Sequence, residues 1–242
     1  MSSADTLKQR IRGGEVVVSL RIPLTSARDD VVRALDQGEY DFIYVDGQHT
    51  AFSDEQLVTF CSIADELGMP VQFRIPHTRQ TYLIGRFLDM GLSGNLVPEV
   101  VEETTVDEAV EQSYYPQVGR RSWGGTSRRG FTVDDPPDRL EYASWWNERV
   151  VLGIQLESVV GVTRARTLAK PGVDYVAFGP NDLLFSLEGH PRFPLRTVDE
   201  CMENVAEQLT DTGVRLGMAV ITDSDERAKY LGMGITVFQE TP

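Results

Sequence analysis

Apolar and polar positions along the chain switch repeatedly between two periods. Short runs rich in β-branched residues are each followed by a longer stretch whose apolar residues recur at helical spacing. Val16–Leu20 reads as a first strand and Asp29–Gln37 as the helix after it. Phe42–Val45 is the second strand. Ser53 then stands as an N-cap with Gln56 as its capping-box partner, opening a helix that runs to Leu67 and stops at Gly68. Val71–Ile75, Gly94–Val97, Val150–Leu156 and Tyr175–Phe178 read as strands three to six, and Arg215–Val220 and Ile235–Phe238 as seven and eight. Helices are predicted over Gln80–Met90, Glu103–Ser113, Val159–Ala169, Val198–Thr210 and Ser224–Leu231.

Strict strand–helix alternation predicts an all-parallel sheet. Eight such units suit a closed (β/α)₈ TIM barrel, an α/β fold of about 250 residues, and the chain has 242. No linker divides it, so residues 1–242 read as one domain. A doubly wound open sheet is the alternative. No Gly-x-Gly-x-x-Gly follows the first strand, which weakens the dinucleotide-binding form of that alternative. One stretch breaks the rhythm: Pro116 to Asn147 lacks clear periodicity and carries Arg120, Arg121, Arg128, Arg129 and Trp123. It reads either as a solvated loop or as a rim or partner contact beside the opening of strand four.

Composition narrows the function classes. A hydrophobic fraction of 41% is ordinary for a globular core. No apolar run is long enough to span a bilayer, and Met1–Arg12 lacks the apolar core of a secretion signal, so a cytoplasmic protein without a membrane partner is expected. The net charge of −14 repels phosphate backbones and argues against nucleic acid. Cys61 and Cys201 read as buried thiols with no disulfide implied.

In a barrel the reactive groups lie at the C-terminal ends of the strands. Strand two ends in Asp46-Gly47-Gln48-His49, strand three in Arg74-Ile75-Pro76, strand five in Gln155-Leu156-Glu157, and strand six in Gly179-Pro180-Asn181-Asp182. Glu157 and Asp182 come from neighbouring strands about 4.8 Å apart. Two carboxylates that close repel unless a cation lies between them, and a two-carboxylate set with open positions suits Mg²⁺ or Mn²⁺. Such a cation could be chelated by an α-keto acid and acidify the adjacent C–H. Arg74 then suits the developing enolate oxygen, and His49, oriented by Asp46, suits a general base acting directly or through water. Taken singly, each residue also has an ordinary reading: Glu157 as a salt-bridge partner, Asp182 as a helix cap, His49 as a polar loop residue.

These motifs together resemble the HpcH/HpaI aldolases, the class II hydroxy-oxo-acid aldolases, over nearly the whole chain. Tyr40-Asp41-Phe42-Ile43-Tyr44-Val45-Asp46-Gly47-Gln48-His49 is similar to the family's Phe-Asp-x-x-x-x-Asp-x-Glu-His. Phe73-Arg74-Ile75-Pro76 resembles Val-Arg-Val-Pro, and Leu88-Asp89-Met90-Gly91 with Leu96-Val97-Pro98 resembles its fourth-strand region. Gln155-Leu156-Glu157-Ser158 resembles Gln-Ile-Glu-Thr, and Gly179-Pro180-Asn181-Asp182-Leu183 resembles Gly-Pro-x-Asp-Leu.

The resemblance implies a phosphoenolpyruvate/pyruvate-type barrel with a divalent metal, Mg²⁺ or Mn²⁺ with Co²⁺ as a further candidate, on Glu157 and Asp182. It implies His49 with Asp46 as the acid/base pair, Arg74 as enolate stabiliser, and amides around Asn181 and Asp182 for the pyruvate carboxylate. It further implies a homo-oligomer, by resemblance a hexamer, in which Asp89 reaches a neighbouring subunit's site. The implied reaction is reversible cleavage of a 4-hydroxy-2-oxo acid to pyruvate and an aldehyde. The alternatives are an oxaloacetate-type decarboxylase or specialised biosynthetic lyase on the same scaffold, and a catalytically silent binding or assembly protein. Three departures stand out. Gln48 replaces a Glu, removing a charge beside the metal. Arg21 stands near the family's first-strand Trp, as a substrate-binding residue for an extra carboxylate or as a rim arginine pointing to water. The Leu187–Pro194 segment is short, and no helix follows strand eight.

Overall fold

All eight predicted strands form, and they pair side by side in chain order: β1 (Val17–Arg21), β2 (Phe42–Asp46), β3 (Val71–Arg74), β4 (Gly94–Val97), β5 (Val151–Leu156), β6 (Tyr175–Phe178), β7 (Arg215–Met218) and β8 (Ile235–Glu240). Every pair is parallel, and β8 returns to β1, with Val17 opposite Val237 and Leu20 opposite Glu240. The barrel is therefore closed, and the open-sheet alternative is excluded. This computed structural model describes residues 6–124, 138–218 and 224–241. Among them, no helix is long and apolar enough to cross a membrane.

The helices sit outside the barrel. They are α2 (Arg28–Leu35), α3 (Asp54–Glu66), α4 (Ile84–Asp89), α5 (Glu103–Ser113), α6 (Arg139–Asn147), α7 (Val159–Thr163), α8 (Ala165–Leu168), α9 (Pro180–Gly189), α10 (Val198–Gln208) and α11 (Ser224–Gly232). The capping box of α3 is present as read from sequence: Ser53 accepts from Gln56 N–H and Gln56 reaches back to Ser53. Gly68 beyond it takes φ +71°, where a side chain would be strained. Cys61 and Cys201 are buried, and neither is in a disulfide.

The barrel interior is filled by a small apolar layer, Phe42, Tyr44, Leu96, Val151, Tyr175 and Val237 among others. Beneath it lies α1 (Leu7–Gly13), whose Leu7 and Ile11 pack into the same cluster. This helix is missing from the sequence reading, where the segment looked merely polar. It is docked by charge as well as by packing. Lys8 is buried and donates to Asp174 Oδ2 at 2.9 Å, Tyr114 Oη at 2.7 Å and the Val150 carbonyl at 2.8 Å. Arg12 Nε reaches the other oxygen of the fully buried Asp174 at 2.6 Å.

Four further readings are corrected. The predicted Gln80–Met90 helix is a 3-10 segment, Thr78–Leu83, followed by α4, with a kink at Gln80. The Val159–Ala169 helix breaks at Arg164 into α7 and α8. Helix α9 was not predicted; Pro180 opens it at a position that needs no N–H. The stretch Pro116–Asn147 is not all loop in its described residues. Its end forms α6, and Tyr142 and Trp146 of that helix are buried. In its first described part, Arg121 pairs with Asp89 at the end of α4, on the N-terminal side of the strands; residues 125–137 lie outside the described residues. Trp146 Nε1 ties α6 to the Ser113 carbonyl at the end of α5. Arg120 pairs with Glu111 on the surface. Arg128 and Arg129 lie outside the described residues, as do Ala219 and Val220 of the predicted seventh strand.

Candidate active site

Strand register brings the first group together. Asp46 stands opposite Arg74 across β2 and β3. Its carboxylate accepts Arg74 Nε on Oδ1 at 2.9 Å and Arg74 Nη2 on Oδ2 at 2.6 Å, a bidentate pair. Arg21 Nη2 reaches the same Oδ2 at 2.9 Å, and the Gln48 N–H reaches Oδ1 at 3.0 Å. Burial disfavours the charged form of Asp46, but Arg74, the Gln48 N–H and Arg21 together hold its carboxyl below the usual range. Arg21 is therefore turned inward onto Asp46 rather than simply out to water. The remaining Arg74 nitrogen, Nη1, makes only a 3.3 Å contact to Gln155 Oε1.

The second group forms on the opposite strands. Leu156 pairs with Phe178 across β5 and β6, which sets the next residue, Glu157, level with Gly179. Glu157 is buried, and its side chain lies over the bare Cα of Gly179. A Cβ there would overlap Glu157 Oε2 and come within 2.7 Å of Gln155 Nε2. The other oxygen, Oε1, accepts the Glu99 N–H at 2.7 Å. Burial, the largest influence, pushes the Glu157 carboxyl up to about 7. The Glu99 N–H opposes this shift, and the nearby Asp182 charge adds to it. Asp182 is thus close enough to disfavour the charge on Glu157.

Glu99 was missed, although it obeys the rule used to find the others: it is the first ionisable residue after β4. No sequence signal marks its backbone, which takes φ +52°. A non-glycine residue in that left-handed region costs about 1–2 kcal/mol, and such strain concentrates at functional sites. The Glu99 carboxylate accepts Gln48 Nε2 at 3.2 Å. The Gln48 amide oxygen is buried and has no hydrogen-bond partner.

The other predicted residues are placed as follows. Asp182 and Asn181 are exposed in the first turn of α9. The first N–H of that helix with an intrahelical bond to Gly179 is that of Leu183, so the amides of Asn181 and Asp182 are free for an anion. His49 is exposed on the loop after β2. The structure does not bring it to Asp46: both oxygens of that carboxylate are occupied by arginines and by Gln48, and the expected His49–Asp46 pair is absent. Asp89 ends α4, at the opposite end of the barrel from these groups, and pairs with Arg121 Nη2 at 2.5 Å. Arg121 is itself buried over the rings of Trp146 and Tyr115, at 4.2 and 4.9 Å. Within one subunit, Asp89 is not part of this site.

The donor set fits a hard divalent cation. Among the described residues no three or more histidine, cysteine or carboxylate groups converge as a closed cage. A pair of carboxylates with waters and substrate oxygens is what Mg²⁺ or Mn²⁺ accepts. Two observations point the same way. Glu157 is buried beside a second carboxylate that raises its proton affinity, a repulsion that a cation relieves. The orphaned Gln48 oxygen is a neutral acceptor with nothing to accept from.

Known proteins resemble this chain over most of its length. The sequence pattern described as HpcH/HpaI aldolase/citrate lyase matches residues 22–240. A hydroxypyruvate/pyruvate aldolase of Deinococcus radiodurans is 29% identical over 238 residues, covering 96% of this chain and 82% of that protein. A 5-keto-4-deoxy-D-glucarate aldolase of Salmonella gallinarum is 27% identical, covering 81% of this chain and 75% of that one. The crystal structure of an HpcH/HpaI aldolase from Desulfitobacterium hafniense superposes with a TM-score of 0.84 at 28% identity, over 99% of this chain and 91% of that one.

Proposed function

The chain belongs to the HpcH/HpaI aldolase/citrate lyase family, and from that premise we propose that it is a divalent-metal lyase that cleaves a 4-hydroxy-2-oxo acid to pyruvate and an aldehyde, reversibly. The observation that carries this reading is the buried Glu157 carboxylate with the Asp182 charge nearby, facing Arg74 on the strand-end side where Asp46 holds that arginine. Glu157 and Asp182 would hold the cation. When bound, it supplies Lewis acidity to the keto and carboxylate oxygens of the oxo acid.

The protein's own groups do the rest. The free amides of Asn181 and Asp182 receive the substrate carboxylate at the start of α9. Asp46 holds Arg74 rigid through two hydrogen bonds, leaving Nη1 to exchange its long contact with Gln155 for the substrate oxygen on which negative charge develops. That charge is the reason for a bidentate arginine rather than a lysine. His49, exposed at the mouth, moves the proton to or from the substrate hydroxyl through water. Arg21 and Gln48 line the same mouth as substrate-binding groups. The partners are a small oxo acid and further copies of this chain, with Asp89 as the residue that meets a neighbour.

Proton exchange tests the reaction at its simplest. The protein is incubated with pyruvate and Mg²⁺ or Mn²⁺ in deuterated water, the metal is chelated, and the methyl signal is read by NMR. Exchange that needs metal and vanishes in Asp182→Ala, with the fold intact, is expected. Unchanged exchange in that variant defeats the metal assignment, and no exchange with any metal at any pH favours the silent reading. Carbon dioxide release from oxaloacetate without aldehyde acceptance indicates the decarboxylase instead.

A further inference from the structure

We infer that Glu99 is a positioning residue of this site, holding Glu157 through its backbone and Gln48 through its side chain, and supplying from just beyond the fourth strand the negative charge that Gln48 lacks. The inference rests on the cation reading above and extends it to a residue outside the motifs that suggested that reading.

The geometry is specific. Glu99 touches both groups at once, with its N–H on Glu157 Oε1 at 2.7 Å and its carboxylate on Gln48 Nε2 at 3.2 Å. The first contact occupies one oxygen of Glu157 and leaves Oε2, above Gly179, as the oxygen available to a cation. The second uses up the amide nitrogen of Gln48. A glutamine side chain can turn either end toward a site, so an acidic partner on the nitrogen decides that the oxygen is the group left over. That oxygen is the buried atom without a partner.

The left-handed backbone of Glu99 makes both contacts possible from one residue. Asn, Asp or Gly would fill that conformation with less strain. None of them carries a carboxylate on so long a stem. Gln48 brings no charge of its own, so the acidic charge beyond Glu157 and Asp182 comes from Glu99, one hydrogen bond farther out. Groups that orient metal ligands in this way commonly change metal affinity 10- to 100-fold when removed.

The test follows Mn²⁺ binding by the electron-paramagnetic-resonance signal of the free ion, on the full chain at one fixed pH. Glu99→Gln keeps the backbone N–H but removes the charge and lets the Gln48 amide turn, and it should weaken Mn²⁺ binding about tenfold. The exchange Gln48→Glu with Glu99→Gln keeps a carboxylate–amide hydrogen bond and the total charge, and should restore affinity to within about threefold of the parent. Glu99→Gly removes the backbone strain, and should weaken Mn²⁺ binding without lowering the melting temperature. Unchanged affinity in Glu99→Gln, or a double variant no better than the single one, overturns the assignment. A parent protein that binds no Mn²⁺ overturns both this inference and the cation reading. A parent that binds Mn²⁺ normally while Glu99→Gln does too overturns this inference alone.

Discussion

Replacing Glu157 by glutamine should stabilise the metal-free protein at alkaline pH, although Glu157 is placed at the centre of the chemistry. Its carboxyl is moved from an ordinary 4.5 to about 7, chiefly by burial. Each tenfold change in proton affinity is worth about 1.4 kcal/mol, so holding the ionised form costs the fold about 3 kcal/mol. Between pH 4.5 and 7 the folded protein keeps a proton that the unfolded chain has lost. Stability therefore falls as pH rises through that window, and the whole cost is present above it. Glutamine removes the charge and keeps an Oε1 that can accept the Glu99 N–H. At pH 8 with a chelator present, Glu157→Gln should melt about 6–12 °C above the parent, at 2–4 °C per kcal/mol for a domain of this size. At pH 5 the two should melt within a few degrees of each other. Added Mn²⁺ should raise the parent's melting temperature at pH 8 and leave the variant unmoved. Differential scanning calorimetry at the two pH values, with and without metal, reads all four quantities. A difference that is the same at pH 5 and pH 8, or a variant less stable than the parent at pH 8, refutes the reasoning.

The neighbouring groups make further demands. Gly179→Ala puts a methyl 2.9 Å from Glu157 Cβ and 2.7 Å from Gln155 Nε2; it should cost about 1–3 kcal/mol in chemical denaturation and lower metal-dependent pyruvate exchange at least about tenfold. Parent-like exchange would show that Glu157 is free to move. Arg74→Lys cannot span both Asp46 oxygens, and aldol cleavage kcat should fall about 100-fold with little loss of melting temperature. A kcat within threefold would remove Arg74 from the charge-stabilising role. At the other end of the barrel, Lys8→Met leaves Asp174 buried with Arg12, the Leu152 N–H and a long contact from the Tyr114 hydroxyl but without its buried ammonium partner. It should cost about 3 kcal/mol in urea unfolding, and a cost below about 1 would mean that α1 is docked by packing alone.

Most of the fold was legible because it rests on local patterns. The strands are β-branched runs such as Phe42–Asp46 and Val151–Leu156, buried along their whole length, and short-range chemistry such as the Ser53–Gln56 capping box opens the helices between them. Parallel strands end on one face, so reading the residues after them found Asp46, Arg74, Glu157 and Asp182 without any knowledge of distance. The failures have two causes. Helix α1 is only seven residues long, and its anchor, Lys8, meets a carboxylate 166 positions away. No local signal records such a contact. Helices α6 and α9 sit in stretches whose Gly and Pro content reads as loop.

What the sequence determined by itself is the list of groups at the strand ends and the order in which strands bring them there. Tertiary structure decided their company. Closure of β8 onto β1 is a long-range pairing that the hydrophobic pattern permits but does not require. Register across β1, β2 and β3 gave the Asp46 carboxylate to two arginines instead of to His49. A single left-handed backbone angle at Glu99 joined Gln48 to Glu157. Hydrogen bonds and charge act over a few ångströms in space, whatever the separation in sequence, and the closed sheet sets those few ångströms.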